Sequence, residues 1–388
     1  MSWPLVKLGD VATVITGSTP KKEPENYGGE IPFVTPGDLG KFAEIVVSSN
    51  TLTQQGAKQA RVLPKGAVLV CCIGATIGKV GIAGRNLVTN QQINSLVFDE
   101  NKVFPRFAYY YALTMKPALL AGSSSTTMPI INKSNFSKLE MPLPPLAEQK
   151  RIAAILDKAD SLRRKRQQAI DLADQFLRSV FLDMFGDPVT NPKGWEVRKL
   201  ITLCKKITDG THHSPPIVEE GVPYITAKHL KKTGLEFFAN PWFVSEQSHK
   251  EIFARCAPEK NDVLYIKDGA TTGLAAINEY DFPFSMLSSL ALLKPDYSEI
   301  TSEFLCMFLN HPRTKQVLTA NMAGAAITRL TLAKIKDVDV PTPSLKQQKE
   351  FSTIYRKVRE TTARINTSAE SLDLQFKSLS QQAFNGQL

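Results

Sequence analysis

The polar pair best equipped for chemistry in this chain is His212-His213, set between Thr211 and Ser214. Two imidazoles beside hydroxyls carry the groups for metal ligation or proton transfer. Adjacent histidines on a loop, however, lack the i, i+4 spacing and the third ligand of a zinc site, and no Cys or Glu cluster stands nearby in sequence. Contact with a nucleic-acid base or phosphate suits them better, against the plainer reading of a surface loop with no role. Gly74-Ala75-Thr76-Ile77-Gly78-Lys79 invites comparison with a phosphate-binding loop. It has three residues between its glycines where that loop has four, and Val80 where Ser or Thr would bind magnesium. Gly269-Ala270-Thr271-Thr272-Gly273 repeats the glycines but continues with Leu274. Both stretches read as structural hairpin turns, with Lys79 at most a phosphate contact.

Signatures of catalysis are missing. There is no G-x-S-x-G elbow, no catalytic-cysteine signature, no H-E-x-x-H and no G-x-G-x-x-G. An amino-methyltransferase would show Asn or Asp, then Pro-Pro, then an aromatic residue; Ser214-Pro215-Pro216-Ile217 lacks both ends. A self-sufficient nucleic-acid enzyme is therefore disfavoured.

The elements that would position these loops come in two copies. A charged amphipathic helix is expected from about Leu146 to Phe185 and again from about Leu345 to Phe384, each directly after a proline-rich breaker. Ile152, Ile155, Ala159, Leu162, Ala169, Ala173, Phe176 and Val180 form an apolar seam at spacings of three and four, and adding 199 gives Phe351, Ile354, Val358, Thr361, Ser368, Leu372, Gln375 and Leu379. Arg166 interrupts the first seam and matches Ile365, which it would face only if the helices ran parallel. Arg163-Arg164-Lys165-Arg166 is the densest basic run, either a solvated face balanced by Asp157, Asp160 and Asp171 or a contact for phosphates or a partner subunit.

Before each helix the order of elements repeats. Trp3–Leu8 and the loop Thr16–Lys22 correspond to Trp195–Leu200 and the loop Thr208–Pro216. The strands expected at Ile31–Thr35 and Val222–Thr226 correspond, as do those entering the glycine turns, Leu63–Val70 and Pro258–Ile266. Helical stretches at Arg106–Leu120 and Glu303–Thr319 follow, then polar loops at Gly122–Asn132 and Gly324–Thr331. The chain thus reads as one α+β unit of roughly 190 to 200 residues used twice, a globule and then a helix. The expected division is 1–144, helix 145–186, 187–342 and helix 343–388. Two globules with one scaffold and different loops suit two related but different ligands.

Composition narrows the class. A length of 388 residues, 43% hydrophobic and 22% charged, fits a soluble multidomain protein. The net charge of +10 and pI near 9.2 favour a polyanionic partner. Five cysteines without C-x-x-C spacing read as reduced thiols of a cytoplasmic protein. No signal peptide is expected at Met1–Lys7, and the most apolar stretch, Ala67–Ala83, is too broken to span a membrane.

Several stretches together resemble the specificity subunit of a type I restriction-modification system. They are the openings Trp3–Gly9 and Gly194–Leu200, the loops Thr16–Pro20 and Thr208–His212, Ile31–Thr35 with Gly37-Asp38-Leu39, Pro142–Ile152, and the helix end Phe181–Pro188. The resemblance spans essentially the whole chain. It implies two α+β target-recognition domains separated by an antiparallel, coiled-coil-like pair of long helices in a pseudo-twofold arrangement, each domain reading one half of a split, asymmetric double-stranded DNA target. It also implies a non-catalytic chain with no cofactor or metal of its own. Two modification subunits would carry S-adenosylmethionine and methylate adenine N6, and restriction subunits would bring ATP and magnesium. A non-catalytic scaffold for proteins alone is the rival reading. Such a reader needs lysine and arginine on phosphates and polar loop residues on base edges. The candidates are Thr19, Lys21, Lys22, Lys79, Asn90, Gln91 and Gln92 in the first half, and Thr211, His212, His213, Ser214, Lys228, Lys231, Lys267 and Arg329 in the second. At about 1.5 Å per residue a 40-residue helix spans roughly 60 Å, a length suited to acting as a ruler on DNA.

Overall fold

A computed structural model describes residues 3–40, 44–124, 128–320 and 329–388, apart from the side chains of 367–371. Residues 125–127 and 321–328 of the two expected polar loops, and the side chain of Ser368 in the second seam, lie outside the described residues. The chain divides into two compact units, 1–167 with 367–388, and 168–366.

Each unit repeats one sheet plan. In the first, strands Ala12–Thr16, Ile93–Phe98, Val68–Cys71 and Val80–Ala83 lie side by side and antiparallel, and Glu44–Ile45 adds a parallel edge. In the second, Cys204–Asp209, Leu290–Pro295, Val263–Ile266 and Ala275–Ile277 follow the same order. A smaller sheet accompanies each: Tyr27–Val34 between Asn50–Leu52 and the parallel Leu87–Thr89, with Val62–Leu63 beyond the latter, and Val222–Ile225 between Phe243–Val244 and the parallel Ser285–Met286. Val68, Leu69, Val70 and Cys71 are all buried, as are Val263 to Ile266, which is why these strands read as continuous apolar runs rather than alternating ones.

The long helices run Leu146–Phe185 and Leu345–Phe384. Prolines precede both, and both are followed by a glycine in the left-handed region, Gly186 at φ +79° and Gly386 at φ +73°. In each unit they run antiparallel. Arg151 donates to the Leu388 carbonyl (2.8 Å) and Arg163 lies 3.5 Å from Asp373; in the other unit Asp174 lies 3.7 Å from Arg359, and the Phe181 and Phe351 rings are 5.7 Å apart. The matching of Arg166 with Ile365 therefore reflects duplication and not contact. The expected seam also needs correction. Leu162 and Phe176 are exposed, whereas Ala153, Leu156, Ile170, Leu177, Phe181 and Phe185 are buried. A strict 3.5-residue seam drifts off the face of a 3.6-residue helix, and these helices pack on their globules as well as on each other.

Two buried glutamines, Gln149 and Gln348, fasten the helix starts in the same way. Gln149 accepts from Phe104 N (2.8 Å) and donates to the carbonyls of Lys102 and Pro144; Gln348 accepts from Thr301 N (3.0 Å) and donates to those of Glu299 and Pro343. Trp3 and Trp195 do the same for the helix ends, each donating its indole N–H at 2.9 Å to a carbonyl there, of Ala383 and Phe185. Gln149→Ala is expected to cost about 1–3 kcal/mol by stranding a buried N–H and two carbonyls. Urea unfolding reads this as a lower midpoint at unchanged slope.

Two single-helix expectations resolve into broken pairs, Pro105–Ala112 with Lys116–Ala121, and Ser302–Asn310 with Pro312–Thr319. Pro117 and Pro312 sit in the first turn of the later helices, where the missing N–H costs nothing, and His311 before Pro312 is extended, the geometry a following proline favours.

Candidate nucleic-acid interface

In the first unit the loop after strand Ala12–Thr16 is held through its backbone. Asn26, fully buried, donates to the Lys21 carbonyl (3.1 Å) and receives Gln59 Nε2 (3.0 Å); the Tyr27 hydroxyl donates to the Pro20 carbonyl (3.1 Å). Lys21 and Lys22 are thereby left exposed, with their charges facing solvent. Thr19 Oγ1 donates to Gln91 Oε1 at 2.5 Å, and Asn90 Nδ2 donates to Gln92 Oε1 at 3.0 Å. The fold thus brings Thr19, Lys21, Lys22, Asn90, Gln91 and Gln92 onto two neighbouring loops. Lys79 is exposed beyond the glycine turn and joins no such group.

That turn is not an anion cradle. Ile77 N donates to Gly74 O, Gly78 N to Cys71 O and Lys79 N to Thr76 O, at 3.0, 2.9 and 3.1 Å, so these N–H groups are used within the hairpin. Gly74 and Gly78 take φ of +81° and +85°, and a Cβ on Gly78 would strike the Lys116 side chain at 2.8 Å. Gly273 has the same relation to Lys315, at 3.0 Å.

The second unit builds its site ionically. Asp209, buried at the end of strand Cys204–Asp209, accepts from Arg255 Nη2 at 2.8 Å and lies 3.5 Å from both Lys267 Nζ and His212 Nε2. Lys267 Nζ is also 3.1 Å from Asp268, whose other oxygen is 3.3 Å from Arg329 Nε. Two carboxylates thus face three permanent cations, leaving one positive charge in excess. Burial is uneven: the Lys267 side chain is 3% exposed, against 55% for Arg255 and 63% for Arg329. Lys267, expected to meet DNA, is instead the buried centre that holds the glycine turn to strand Cys204–Asp209. A desolvated ammonium is tolerated there because two carboxylates compensate it.

The remaining candidates fall into two groups. Thr211 Oγ1 donates to His213 O (3.0 Å) and receives His213 N (3.2 Å), a local turn that leaves His213 and Ser214 exposed beside His212. Lys228 and Lys231 are not joined to the Asp209 group by any hydrogen bond or ion pair among the described residues. Lys231 is exposed on the hairpin Leu230–Leu235, while the Lys228 ammonium lies over the Trp242 ring, 2.9 Å from its centroid, and burial pushes its amine below the usual lysine range.

The five cysteines are free and buried, and burial pushes the thiols of Cys72, Cys204 and Cys256 up to about 12. Among the described residues no group of three His, Cys, Asp or Glu side chains is placed to hold a metal, and no helix is long and apolar enough to cross a membrane.

The pattern of the type I restriction modification DNA specificity domain matches this chain twice, over residues 2–172 and 192–373. The chain belongs to that family. It is similar to the type I restriction enzyme MjaIX specificity subunit of Methanocaldococcus jannaschii, at 29% identity over 75% of this chain and 72% of that one. It is also similar to the EcoBI specificity subunit of Escherichia coli, at 22% identity over 73% and 67%. In fold it is similar to the crystal structure of the type I restriction-modification S subunit from M. genitalium, with a TM-score of 0.62, 18% identity and coverage of 99% and 96%. As a member of the specificity family the chain supplies DNA recognition to a type I restriction-modification complex and is itself non-catalytic.

Arg61, Arg255, Asp209 and Asn26 were not among the residues expected from sequence. Arg61 and Arg255 did leave a signal, a shared Ala-Arg-x-x-Pro motif. Asp209 and Asn26 left none, because Arg255 and Lys267 on the one and Gln59 on the other are remote in sequence.

Proposed function

We propose that each unit reads one half of a bipartite, asymmetric double-stranded DNA target, and that the chain positions two modification subunits and the restriction subunits around it in the cytoplasm. The observation that carries this reading is one sheet order used twice with different polar groups at the corresponding loops: hydroxyls, amides and two free lysines in the first unit, an ion-paired Asp209–Lys267–Asp268 core in the second. Equal scaffolds with unequal loops suit unequal half-sites. Thr19, Lys21, Lys22, Lys79, Asn90, Gln91 and Gln92 make the first set of contacts; Thr211, His212, His213, Ser214, Lys228, Lys231 and Arg329 make the second, with Lys267 as their buried support. S-adenosylmethionine, ATP and magnesium belong to the partners. Leu162, Leu172, Phe176 and Leu182 stand exposed along the central helix, and such side chains suit a partner's apolar face.

Exchanging residues 1–143 for another recognition domain is the test. Sequencing of methylated adenines in a host carrying the hybrid should show one half of the target changed and the other retained. A change in both halves would overturn the modular reading. DNA binding insensitive to salt, with the modification subunits present, would favour the protein scaffold.

A further inference from the structure

Outside the recognition loops the units share a short motif, Ala60-Arg61-Val62-Leu63-Pro64 and Ala254-Arg255-Cys256-Ala257-Pro258. Each arginine closes or follows a short helix, Gln54–Lys58 capped by Thr53 or Glu246–Arg255 capped by Ser245. Each precedes the buried strand that enters the glycine turn. The two side chains also reach equivalent places. Arg61 Nη1 donates to the Thr16 carbonyl at 2.6 Å, and its backbone N–H to Ser18 Oγ at 3.3 Å. Arg255 Nη2 donates to Asp209 Oδ1 at 2.8 Å and lies 3.3 Å from His212 Nε2. Thr16 and Asp209 correspond, since each ends the strand paired with Ile93–Phe98 or Leu290–Pro295. Each also precedes a glycine whose Cβ would collide with backbone oxygen, at 2.2 Å from Asn90 O or 1.9 Å from Met286 O.

Both guanidinium groups are thus fastened at one nitrogen and exposed at the rest, at the root of the loop that carries the unit's other polar side chains. Fastening one nitrogen fixes the plane of the fork and reduces the rotamer entropy lost on binding. For attraction to a phosphate a free lysine would serve as well, and pairing Arg255 with a carboxylate offsets part of its charge. Fixed direction is instead what two-point recognition of a base edge requires, and at Arg255 the carboxylate also lowers its pull on phosphates.

We propose that Arg61 and Arg255 are equivalent base-reading residues, one per unit, each donating its free N–H groups to the paired acceptors of a guanine in its own half-site, with the Thr16 carbonyl and Asp209 as positioning groups. The inference rests on the half-site reading above. Its test uses the full chain assembled with its modification subunits and a pool of duplexes randomised at each target position, read by methylation rate. Arg255→Gln should slow methylation of the parent target roughly ten- to a hundredfold, flatten preference at one position of one half, and leave the other half intact. Arg61→Gln should do the same in the opposite half. Arg255→Lys, which keeps the charge and the folded context, should flatten the same position, as should Asp209→Asn with Arg255 retained. Equal slowing on every sequence, with a shallower salt dependence, would make these phosphate contacts and overturn the assignment, as would unchanged profiles. A variant with a lowered unfolding midpoint is judged by its lysine counterpart. If the unaltered complex gave no bipartite target on the pool, the half-site reading would fail; a bipartite target indifferent to all variants would sink the arginine assignment alone.

Discussion

Replacing Phe181 by alanine is expected to lower the stability of the second unit by about 3–5 kcal/mol. Phe181 is 1% exposed, and its ring centroid lies 5.2 Å from that of Phe185, 5.5 Å from Phe304, 5.7 Å from Phe351 and 6.3 Å from His311. Those neighbours belong to three separate elements, the two long helices and helix Ser302–Asn310 with the residue that follows it. A cavity among them closes only if a whole helix shifts, so the loss sits at the high end for an aromatic truncation. Phe176, one turn and a residue earlier and 52% exposed, supplies the contrast. Its alanine variant should change stability by less than about 0.5 kcal/mol. Urea unfolding of both variants decides the matter: similar losses would restore the original seam and refute the shifted face. Because the cluster supports the strand carrying Asp209 through Cys204 and Ile207, Phe181→Ala should also weaken DNA binding through the second unit first.

The features legible in the sequence are those the duplication repeats. The 199-residue offset locates both long helices, and the proline breakers and terminal glycines mark their ends. The same offset relates Gln149 to Gln348 and Lys116 to Lys315, pairs legible in the sequence as identities whose purpose, fastening a helix start and covering a glycine, only the packing reveals. Antiparallel pairing is not legible from the seams, because two copies of one pattern align whichever way the helices run. Lys267 misleads for a different reason. Its compensating Asp209 lies 58 residues away, brought beside it by strands that both pair with Leu290–Pro295, so a lysine beside a glycine turn has the look of an exposed cation. Arg61 and Arg255 are inconspicuous because one arginine in a short motif stands out only when the two copies are laid over each other.

Adding four residues to both long helices should change the number of unread base pairs in the target without changing the bases read. The central helix passes from one compact unit to the other between 167 and 168, and the distal helix between 366 and 367, so insertions near Ala169 and Asn366 fall where each helix leaves one globule for the next. Four residues add roughly 6 Å of helix at 1.5 Å each, and rotate the downstream turns by only about 40° beyond one full turn. The apolar faces of Ile152, Ala153 and Leu156 on one side and Leu177, Phe181 and Phe185 on the other then keep their own globules, because each set lies wholly within one unit. At about 3.4 Å per base-pair step, that length corresponds to one or two additional base pairs in the spacer. Inserting in one helix alone should instead abolish methylation, since the antiparallel pairs on opposite sides of the insertion, Arg163–Asp373 and Asp174–Arg359, could not both keep register. Sequencing of methylated adenines reads both outcomes directly. A spacer unchanged by the paired insertion, with both half-sites still recognised, would show that helix length does not set the interval, leaving the partner subunits to do so.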